Sequence, residues 1–544
     1  MSNLLSQASL VMIPSGYKED VVYSQIPTSG AGDLTFTRAS NGTRINSAGL
    51  VEVVPWNLVT YSNDFSSSWA LIESSKSTGV TDPIGNSNAI KLKYTTATSG
   101  HFITQGITLT GSTAHSVYAK AGELQFLQIA SAQSIDEHAN FNLSTGVIGT
   151  YGSRASNVQI ESVGNGWYRC SVVFTSGSNG IYLAIVQSAS SDWFGLSTYA
   201  GANATDGLYL YGGQINTGAL KPYFPTTDRL NVPRLTYQNG GGGCPSLLLE
   251  KQSTNLSAQS QDFNGWANKV NITTTANYAT SPDGTQNASR LQFTANGFMY
   301  GNTGFGQTSG TVYTLSCWAK RNGSGSQSVG FFIDGSGGVN STWSLSSEYQ
   351  RFTYTFTAGN NSTVGIAGAS GADVSVWGWQ FEASSYATSY IPTTSSSATR
   401  VADGSPDTAT LLSNKLSYSV FLDFYPRPLG NFQYFFIQKN SSANAEIIWG
   451  GTSGGTDFAI YDYTAGSICN VAINDGNRHK IVLSQASGKI DVFVDGSQVA
   501  TQKTTSATGF YYVAFDGNPG IYKINELAIM SKITNADAIA LTTL

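Results

Sequence analysis

Tyr223-Phe224-Pro225-Thr226-Thr227 recurs later in the chain as Tyr390-Ile391-Pro392-Thr393-Thr394, and these two stretches divide the sequence into modules. Each one closes a segment in which apolar residues alternate with small polar ones. Because proline donates no hydrogen bond to a sheet ladder, Pro225 and Pro392 are expected to end the pairing of a last strand. We expect the preceding tyrosine to pack back on its own domain, so that each stretch forms a joint.

The segments that these stretches close are copies of one unit. Asn57-Leu58 returns as Asn255-Leu256 at an offset of 198 (255 − 57). Ser116-Val117-Tyr118-Ala119-Lys120 returns as Ser316-Cys317-Trp318-Ala319-Lys320 at an offset of 200 (316 − 116). Self-similarity of this kind identifies a repeated structural unit. The sequence therefore predicts two homologous domains.

The first copy is the longer of the two. Leu208-Tyr209-Leu210-Tyr211-Gly212-Gly213 matches Val374-Ser375-Val376-Trp377-Gly378-Trp379 at an offset of only 166 (374 − 208). The first copy therefore has extra residues between its earlier and later landmarks. Insertions in sandwich proteins occupy loops, and loops commonly carry recognition. We expect the first copy to present the more specific surface.

The pattern of the whole chain predicts an all-β protein. Aromatic and β-branched residues alternate with small polar ones in short stretches bounded by Gly, Ser and Asn turns, as antiparallel strands require. We predict tandem antiparallel β-sandwich (jelly-roll) domains behind an extended N-terminal segment. The predicted divisions are a docking segment (1–56), a first sandwich (57–228), a linker (229–254), a second sandwich homologous to the first (255–397), a linker (398–412) and a terminal sandwich (413–544).

The docking segment, residues 1–56, holds too little apolar material for a core of its own. We expect it to lean on a neighbouring domain or on another chain.

Composition excludes several classes of protein. Only 11% of the 544 residues are charged, against about 25% in ordinary globular chains, while 59 glycines and 12% aromatic residues are typical of fibres and adhesins. A net charge of -5 without any Lys/Arg run argues against nucleic-acid binding. No apolar run reaches the roughly 18 residues of a membrane span, so no membrane insertion is expected. The four cysteines stand singly, which predicts neither a zinc site nor a disulfide framework, and we expect no cofactor.

The terminal sandwich, residues 413–544, does not repeat the pattern of the first two, and its sequence predicts strands and a short helix. Its strands are marked by His479-Lys480-Ile481-Val482, by Asp491-Val492-Phe493-Val494-Asp495-Gly496, whose Asp-Gly is a hairpin signal, and by Glu526-Leu527-Ala528-Ile529. The sequence predicts a helix over residues 535–541, with Asn535 as its N-cap. The order of these strands resembles that of the concanavalin-A-like/laminin-G-like jelly rolls. That resemblance implies glycan binding or a role as an adhesion spacer.

A second resemblance lies upstream. Phe36-Thr37-Arg38-Ala39-Ser40, Cys244-Pro245-Ser246-Leu247-Leu248-Leu249-Glu250 and Thr388-Ser389-Tyr390-Ile391-Pro392-Thr393 resemble the modular structural proteins of tailed bacteriophages. In those proteins, carbohydrate-binding-module-like sandwiches are strung along virion fibres. The resemblance covers most of residues 30–403. It implies a structural fibre protein, of the head or of the tail, that adheres to host or environmental glycans.

The same resemblance implies partners and a location. Residues 1–56 would dock on other virion proteins, and a homotrimer would add weak sugar contacts through multivalency. No secretory leader pattern opens the sequence. We therefore expect assembly in the host cytoplasm and release in the virion by lysis. Two alternatives stay open, a tailspike-type polysaccharide depolymerase and a purely structural capsid decoration without a ligand.

No motif indicates an enzyme or a metal site. The cluster Asp136-Glu137-His138 is interpreted as a solvated loop, and His479 as a structural residue in the turn that begins at Asp475. A glycosidase needs two carboxylates roughly 5 to 10 Å apart, and no sequence pattern indicates such a pair. We expect a protein without catalytic residues.

Candidate glycan-binding residues combine aromatic rings with polar neighbours. Asp192, Trp193 and Phe194 form one such group in the first sandwich, and Tyr511 and Tyr512 form another near the end of the chain. Ordinary core packing is the alternative for each of them.

Overall fold

The computed structural model confirms an all-β chain with a single helix among its described residues. The described residues are 7–109, 111–175, 178–193, 198–238, 240–301, 307–324, 327–333, 339–359, 363–404, 417–426, 434–439, 445–451, 457–473, 475–507, 512–515 and 521–544. Two compact units are present, Pro55–Arg229 and a second one made of Met1–Val54 with Leu230–Leu544. Within the described part of the chain, no helix has the length and apolarity to span a membrane.

The N-terminal segment contributes short strands. They are β1 Ala8–Met12, β2 Tyr17–Lys18, β3 Val21–Val22, β4 Leu34–Thr35, β5 Gly42–Ile45 and β6 Val51–Val54.

The unit Pro55–Arg229 contains the first sandwich. Its strands are β7 Ala70–Ile72, β8 Ser74–Val80, β9 Ala89–Tyr94, β10 Thr98–Ser99, β11 His101–Leu109, β12 Thr113–Lys120, β13 Phe126–Ala130, β14 His138–Asn142, β15 Val147–Tyr151, β16 Ala155–Gly164, β17 Trp167–Phe174, β18 Ser178–Ile185, β19 Tyr199–Ala200 and β20 Gly207–Thr217. One six-stranded sheet has the order β15-β14-β13-β18-β11-β7, and the other has the order β16-β17-β12-β20-β9-β8. Val117 and Leu210 from the second sheet pack with Leu127, Phe141 and Leu183 from the first, which places the core between them.

The strands that follow belong to the other unit. They are β21 Arg234–Thr236, β22 Ser246–Glu250, β23 Ser253–Asn255, β24 Asn268–Ala279, β25 Ala288–Tyr300, β26 Val312–Arg321, β27 Val329–Ile333, β28 Ser341–Thr342, β29 Gln350–Thr357, β30 Val364–Gly368, β31 Asp373–Glu382 and β32 Ala398–Arg400. The second sandwich has the strand order β28-β27-β30-β25-β31-β26-β29, with β24 also paired to β25. The long strand β25 pairs with β31 through residues 289–292 and with β30 through residues 297–300, so it runs through both halves of the sandwich.

The terminal sandwich completes the chain. Its elements are β33 Tyr418–Pro426, β34 Tyr434–Lys439, β35 Ala445–Gly451, β36 Phe458–Asp462, β37 Gly466–Val471, β38 His479–Ala486, β39 Lys489–Val494, β40 Ser497–Thr504, β41 Tyr512–Phe515, β42 Ile521–Met530 and the helix α1 Asn535–Thr542. The cap of α1 is Thr534 rather than the predicted Asn535, because the Thr534 hydroxyl accepts the Asp537 amide N–H at 3.1 Å.

Strands from distant parts of the sequence extend the terminal sandwich. Its larger sheet has the order β21-β22-β42-β33-β38-β39-β40, with β1 also paired to β42. Leu10, Phe36 and Leu249 are buried in the same core as Val420 and Ile481. Residues 7–54 therefore lean on a neighbouring domain of their own chain. The segment 229–254, predicted as a linker, supplies β21 and β22 to this sheet, since its apolar residues find their partner strand at the other end of the chain.

Candidate functional site

The two repeated stretches, residues 223–227 and 390–394, are straps that close their sandwiches. The Tyr223 ring lies 5.7 Å from both the Tyr118 and the Tyr211 rings, between centroids. The Tyr390 ring lies 4.7 Å from that of Trp377 in the same way. The prediction that each tyrosine packs back on its own sandwich is confirmed.

One asparagine in each copy fixes the strap to the start of the domain. Asn57 Nδ2 donates to the carbonyl of Phe224 at 2.9 Å, and Asn255 Nδ2 donates to the carbonyl of Ile391 at 2.9 Å. Both asparagines are fully buried. A lost partner would leave a buried polar group unsatisfied, so the straps are structural joints rather than sites.

The buried charges of the larger unit form a second joint. Arg38 Nη1 lies 2.7 Å from Asp403 Oδ1, and Arg234 binds both Asp403 and Glu250 Oε2, the latter at 2.6 Å. Burial lowers the pKa of Arg38 to about 10 in spite of Asp403. Burial alone would raise the pKa of Glu250, but Arg400 and Arg234 hold it well below its ordinary range. Glu250 is therefore held ionised by guanidinium groups and is not a candidate general acid, and Asp403 is ion-paired with Arg38 and Arg234.

The acidic and histidine clusters noted in the sequence are also structural. His138 Nδ1 lies 2.9 Å from the Ile135 carbonyl oxygen. His479 lies between two carboxylates, 3.0 Å from Asp475 and 2.6 Å from Asp495. Burial raises the pKa of Asp475, but hydrogen bonds from His479 and the following turn bring it to about 2. In the part of the chain that the structure describes, no group of three or more His, Cys, Asp and Glu residues is placed to hold a metal ion.

One sheet of the first sandwich has no formal charge. Its strands β7, β11, β13, β14, β15 and β18 contain no Asp, Glu, Lys or Arg. Alternate side chains of a strand point to opposite faces of a sheet, so Phe102, Phe126 and Tyr182 lie on the side away from the core. The Phe102 and Tyr182 rings are 5.5 Å apart between centroids. Half-buried aromatic rings are thus grouped on an uncharged surface.

Two buried amide side chains lie on the same face. Gln128 Nε2 donates to Asn140 Oδ1 at 2.9 Å, which orients the pair. Both side chains are fully buried although they belong to the face opposite the core. We call the surface made by Phe102, Phe126, Gln128, Asn140 and Tyr182 the outer face.

A loop segment, residues 189–193, lies across the outer face, and we call it the cover. Asn140 Nδ2 donates to the Ser191 carbonyl at 2.7 Å, and Gln128 Nε2 donates to the Asp192 carbonyl at 2.9 Å. The Trp193 ring joins the aromatic cluster, and its Nε1 donates to the Ser131 carbonyl at 3.1 Å.

The predicted site residues thus have different outcomes. Trp193 is half-buried in the cover, and Asp192 beside it is exposed. Phe194 and Tyr511 lie outside the described residues, and only the backbone of Tyr512, in β41, is described.

The five residues of the outer face are not marked as a site by any pattern in the sequence. The alternation Phe126-Gln128-Ala130 was visible in the sequence, but it does not show that Asn140 lies next to Gln128.

Comparison with known proteins adds little to this description. No protein-family model and no curated protein matches the sequence. The N-terminal CBM22-1–CBM22-2 tandem domain of Xyn10C from Paenibacillus barcinonensis matches 60% of this chain over 100% of its own length, at 7% identity and a TM-score of 0.19. Tail fiber protein gp63.1 from a phage of E. coli matches 53% of this chain over 41% of its own length, at 12% identity and a TM-score of 0.18. Scores this low establish no shared function.

Proposed function

We propose that this chain is a structural fibre protein of a tailed-phage virion, of the head or of the tail, whose first sandwich adheres to a glycan. The location is supported by the sequence resemblance to modular phage proteins. The ligand is supported by one observation above all, the outer face, where aromatic rings and a buried amide pair share a sheet without formal charge. Binding sites for small ligands combine apolar and aromatic walls with a few placed polar groups, and sugars present both C–H faces and hydroxyls to such a site.

The proposed mode of action is adhesion without catalysis. The buried carboxylates Glu250 and Asp403 are neutralised by arginines, which supports this proposal. Assembly as a homotrimer would multiply weak contacts with a repetitive polysaccharide. Apolar side chains of this segment such as Leu10, Val22 and Phe36 are buried inside the chain, so docking on other virion proteins would use the exposed side chains of residues 7–54.

Two measurements test the proposal. The purified chain is incubated with immobilised host polysaccharide, and both its retention and the release of reducing ends are measured. We expect retention without release. Release of reducing ends would favour the depolymerase alternative, and the absence of retention on every host glycan would favour a structural decoration. Immunogold labelling of intact virions tests the location, and unlabelled particles would contradict it.

A further inference from the structure

We propose that the cover, residues 189–193, occupies the glycan site of the first sandwich and is displaced when an uncharged sugar chain binds there. This inference rests on the proposed function and deepens it. It assigns Gln128 and Asn140 as the hydrogen-bonding groups of the site and makes Trp193 the anchor of the cover rather than a platform for the sugar.

The cover makes the hydrogen bonds that a sugar would make. The amide groups of Gln128 and Asn140 donate to two consecutive backbone carbonyls, those of Asp192 and Ser191. Sugar hydroxyl oxygens accept the same kind of bond. A ligand that displaces the cover therefore leaves neither buried amide unsatisfied, and the exchange of partners costs little.

The cover is attached to the sheet by few side chains. Thr150 N–H donates to the Ala189 carbonyl at 2.8 Å, and this contact again uses the backbone of the cover. The Ser191 hydroxyl of the cover bonds to the neighbouring Ser188 rather than to the sheet, accepting the Ser188 N–H at 3.1 Å. Trp193 is the only large side chain of the cover. Its ring packs in the aromatic cluster where a sugar ring would lie.

The charge of the sheet fixes the class of ligand. The six strands of this sheet carry no charged residue, whereas the opposite sheet carries Lys76, Lys91, Lys93 and Arg169 among others. An anionic sugar would lose hydration on this face without gaining a partner on these strands, which is unfavourable. An uncharged oligosaccharide suffers no such penalty.

When the cover occupies the site, the apparent affinity for the sugar is the intrinsic affinity multiplied by the fraction of molecules in which the site is open. Loosening the anchor raises that fraction. We therefore expect Trp193→Ala to bind a neutral oligosaccharide about tenfold more tightly than the native chain, and Trp193→Phe to fall between them because it keeps an aromatic ring in the cluster and loses the bond to Ser131. Adding Gln128→Ala to Trp193→Ala should abolish the gain.

The experiment uses the full chain and three neutral probes, cellopentaose, xylopentaose and mannopentaose, with a hyaluronan oligosaccharide as the anionic control. Calorimetry measures affinity, and hydrogen exchange follows the Thr150 amide, which donates to the Ala189 carbonyl of the cover, in the native chain with and without saturating probe. We expect faster exchange when the probe is bound, because the cover leaves the sheet. Thermal unfolding verifies that each variant is folded, and the exchange measurement stands even if Trp193→Ala does not fold.

The outcomes separate this inference from the proposed function. Slower exchange on binding, or weaker binding by Trp193→Ala, would make the cover part of the sugar site and overturn the inference while glycan binding stands. Preference for hyaluronan would overturn the assigned ligand class. The absence of binding by the native chain and all variants would overturn the glycan-binding function itself.

Discussion

The two sandwiches hold their straps in the same way, whereas among the described residues only the first sandwich has an amide pair and a cover on the sheet that carries the outer face. In the second sandwich the strands β27 and β30 contain Gly330, Phe332, Gly365 and Ala367 at their outward positions, with no amide side chain among them. The strap contacts, which close each domain, are common to both copies, and the amide pair and the cover distinguish one surface of the first copy. The two copies therefore share the framework that closes each sandwich and differ on this one surface.

The extra residues of the first copy are divided between two places. Arg169 pairs with Tyr118 as Arg351 pairs with Trp318, so the offset at this strand is 182 (351 − 169). Of the 34 extra residues (200 − 166), 18 (200 − 182) precede β17 and 16 (182 − 166) follow it. The first group corresponds to β15 and β16, since β14 has its counterpart in β28, and the second group includes the cover. The two insertions meet in the bond from the Thr150 N–H in β15 to the Ala189 carbonyl of the cover, at 2.8 Å.

The largest loss of stability is expected from substituting Gly212 and Gly378, a pair of glycines that the two copies share. Gly212 has φ +65° and Gly378 has φ +70°, and a Cβ on them would lie 2.9 Å from the Tyr223 ring and 2.8 Å from the Trp318 ring respectively. We expect Gly212→Ala and Gly378→Ala each to lower the free energy of unfolding by about 3 kcal/mol, through positive-φ strain together with overpacking. Urea unfolding of the full chain, followed by hydrogen exchange in each sandwich, measures both.

A matched control is available for this pair. Gly218 has φ +72° but no atom near its added Cβ, so Gly218→Ala carries only the backbone strain, about 1 kcal/mol. Equal losses at all three glycines would show that the rings beside Gly212 and Gly378 make room for the added methyl group at no cost.

Parts of this molecule could be predicted from sequence, and the reason differs from part to part. The straps were recognisable because the repeat shows the same residues twice, and α1 because its signals are local. The role of β21 and β22 was hidden, since their partner β42 is at the far end of the chain. Trp193 was noticed as a conspicuous residue type, but Gln128 and Asn140 are ordinary amides in a polar chain. They become a pair only when β13 and β14 align.

A smaller effect, on the pH dependence of stability, is expected from one buried residue that differs between the two sandwiches. His115 in the first sandwich occupies the position of Leu315 in the second, at the common offset of 200 (315 − 115). Burial lowers the pKa of His115 from 6.5 to about 3. Between these pH values the unfolded chain binds more protons than the folded one, so the contribution of His115 is complete above pH 6.5 and is lost as the pH falls towards 3.

This difference can be measured within one molecule. We expect the stability of the first sandwich to fall by about 2 kcal/mol relative to that of the second between pH 6.5 and pH 5, at about 1.4 kcal/mol per pH unit. Hydrogen exchange in β12 and β26 reports the two domains. His115→Leu, which copies the second sandwich, should remove the difference, and an unchanged pH profile in that variant would assign the effect to other groups.

The smallest effect tests how much of each strap depends on its tyrosine hydroxyl. Tyr223 Oη lies 2.8 Å from Ser62 Oγ, and Tyr390 Oη lies 2.6 Å from Ser260 Oγ. Each serine Oγ also accepts the amide N–H of the strap threonine at 2.8 Å, so the strap stays bound when the tyrosine hydroxyl is removed. Tyr223 Oη also donates to Asn63 Oδ1 at 2.5 Å, and the Tyr390 hydroxyl is also bonded to Gln261. We therefore expect Tyr223→Phe and Tyr390→Phe to cost about 1.5 kcal/mol each in urea unfolding, the net value of the hydrogen bonds lost with each hydroxyl, because the ring packing is kept. Tyr151→Phe, whose side chain is exposed, is the control and should change little. A loss above about 3 kcal/mol in only one copy would mean that the two straps, although alike in sequence, are held by different bonds.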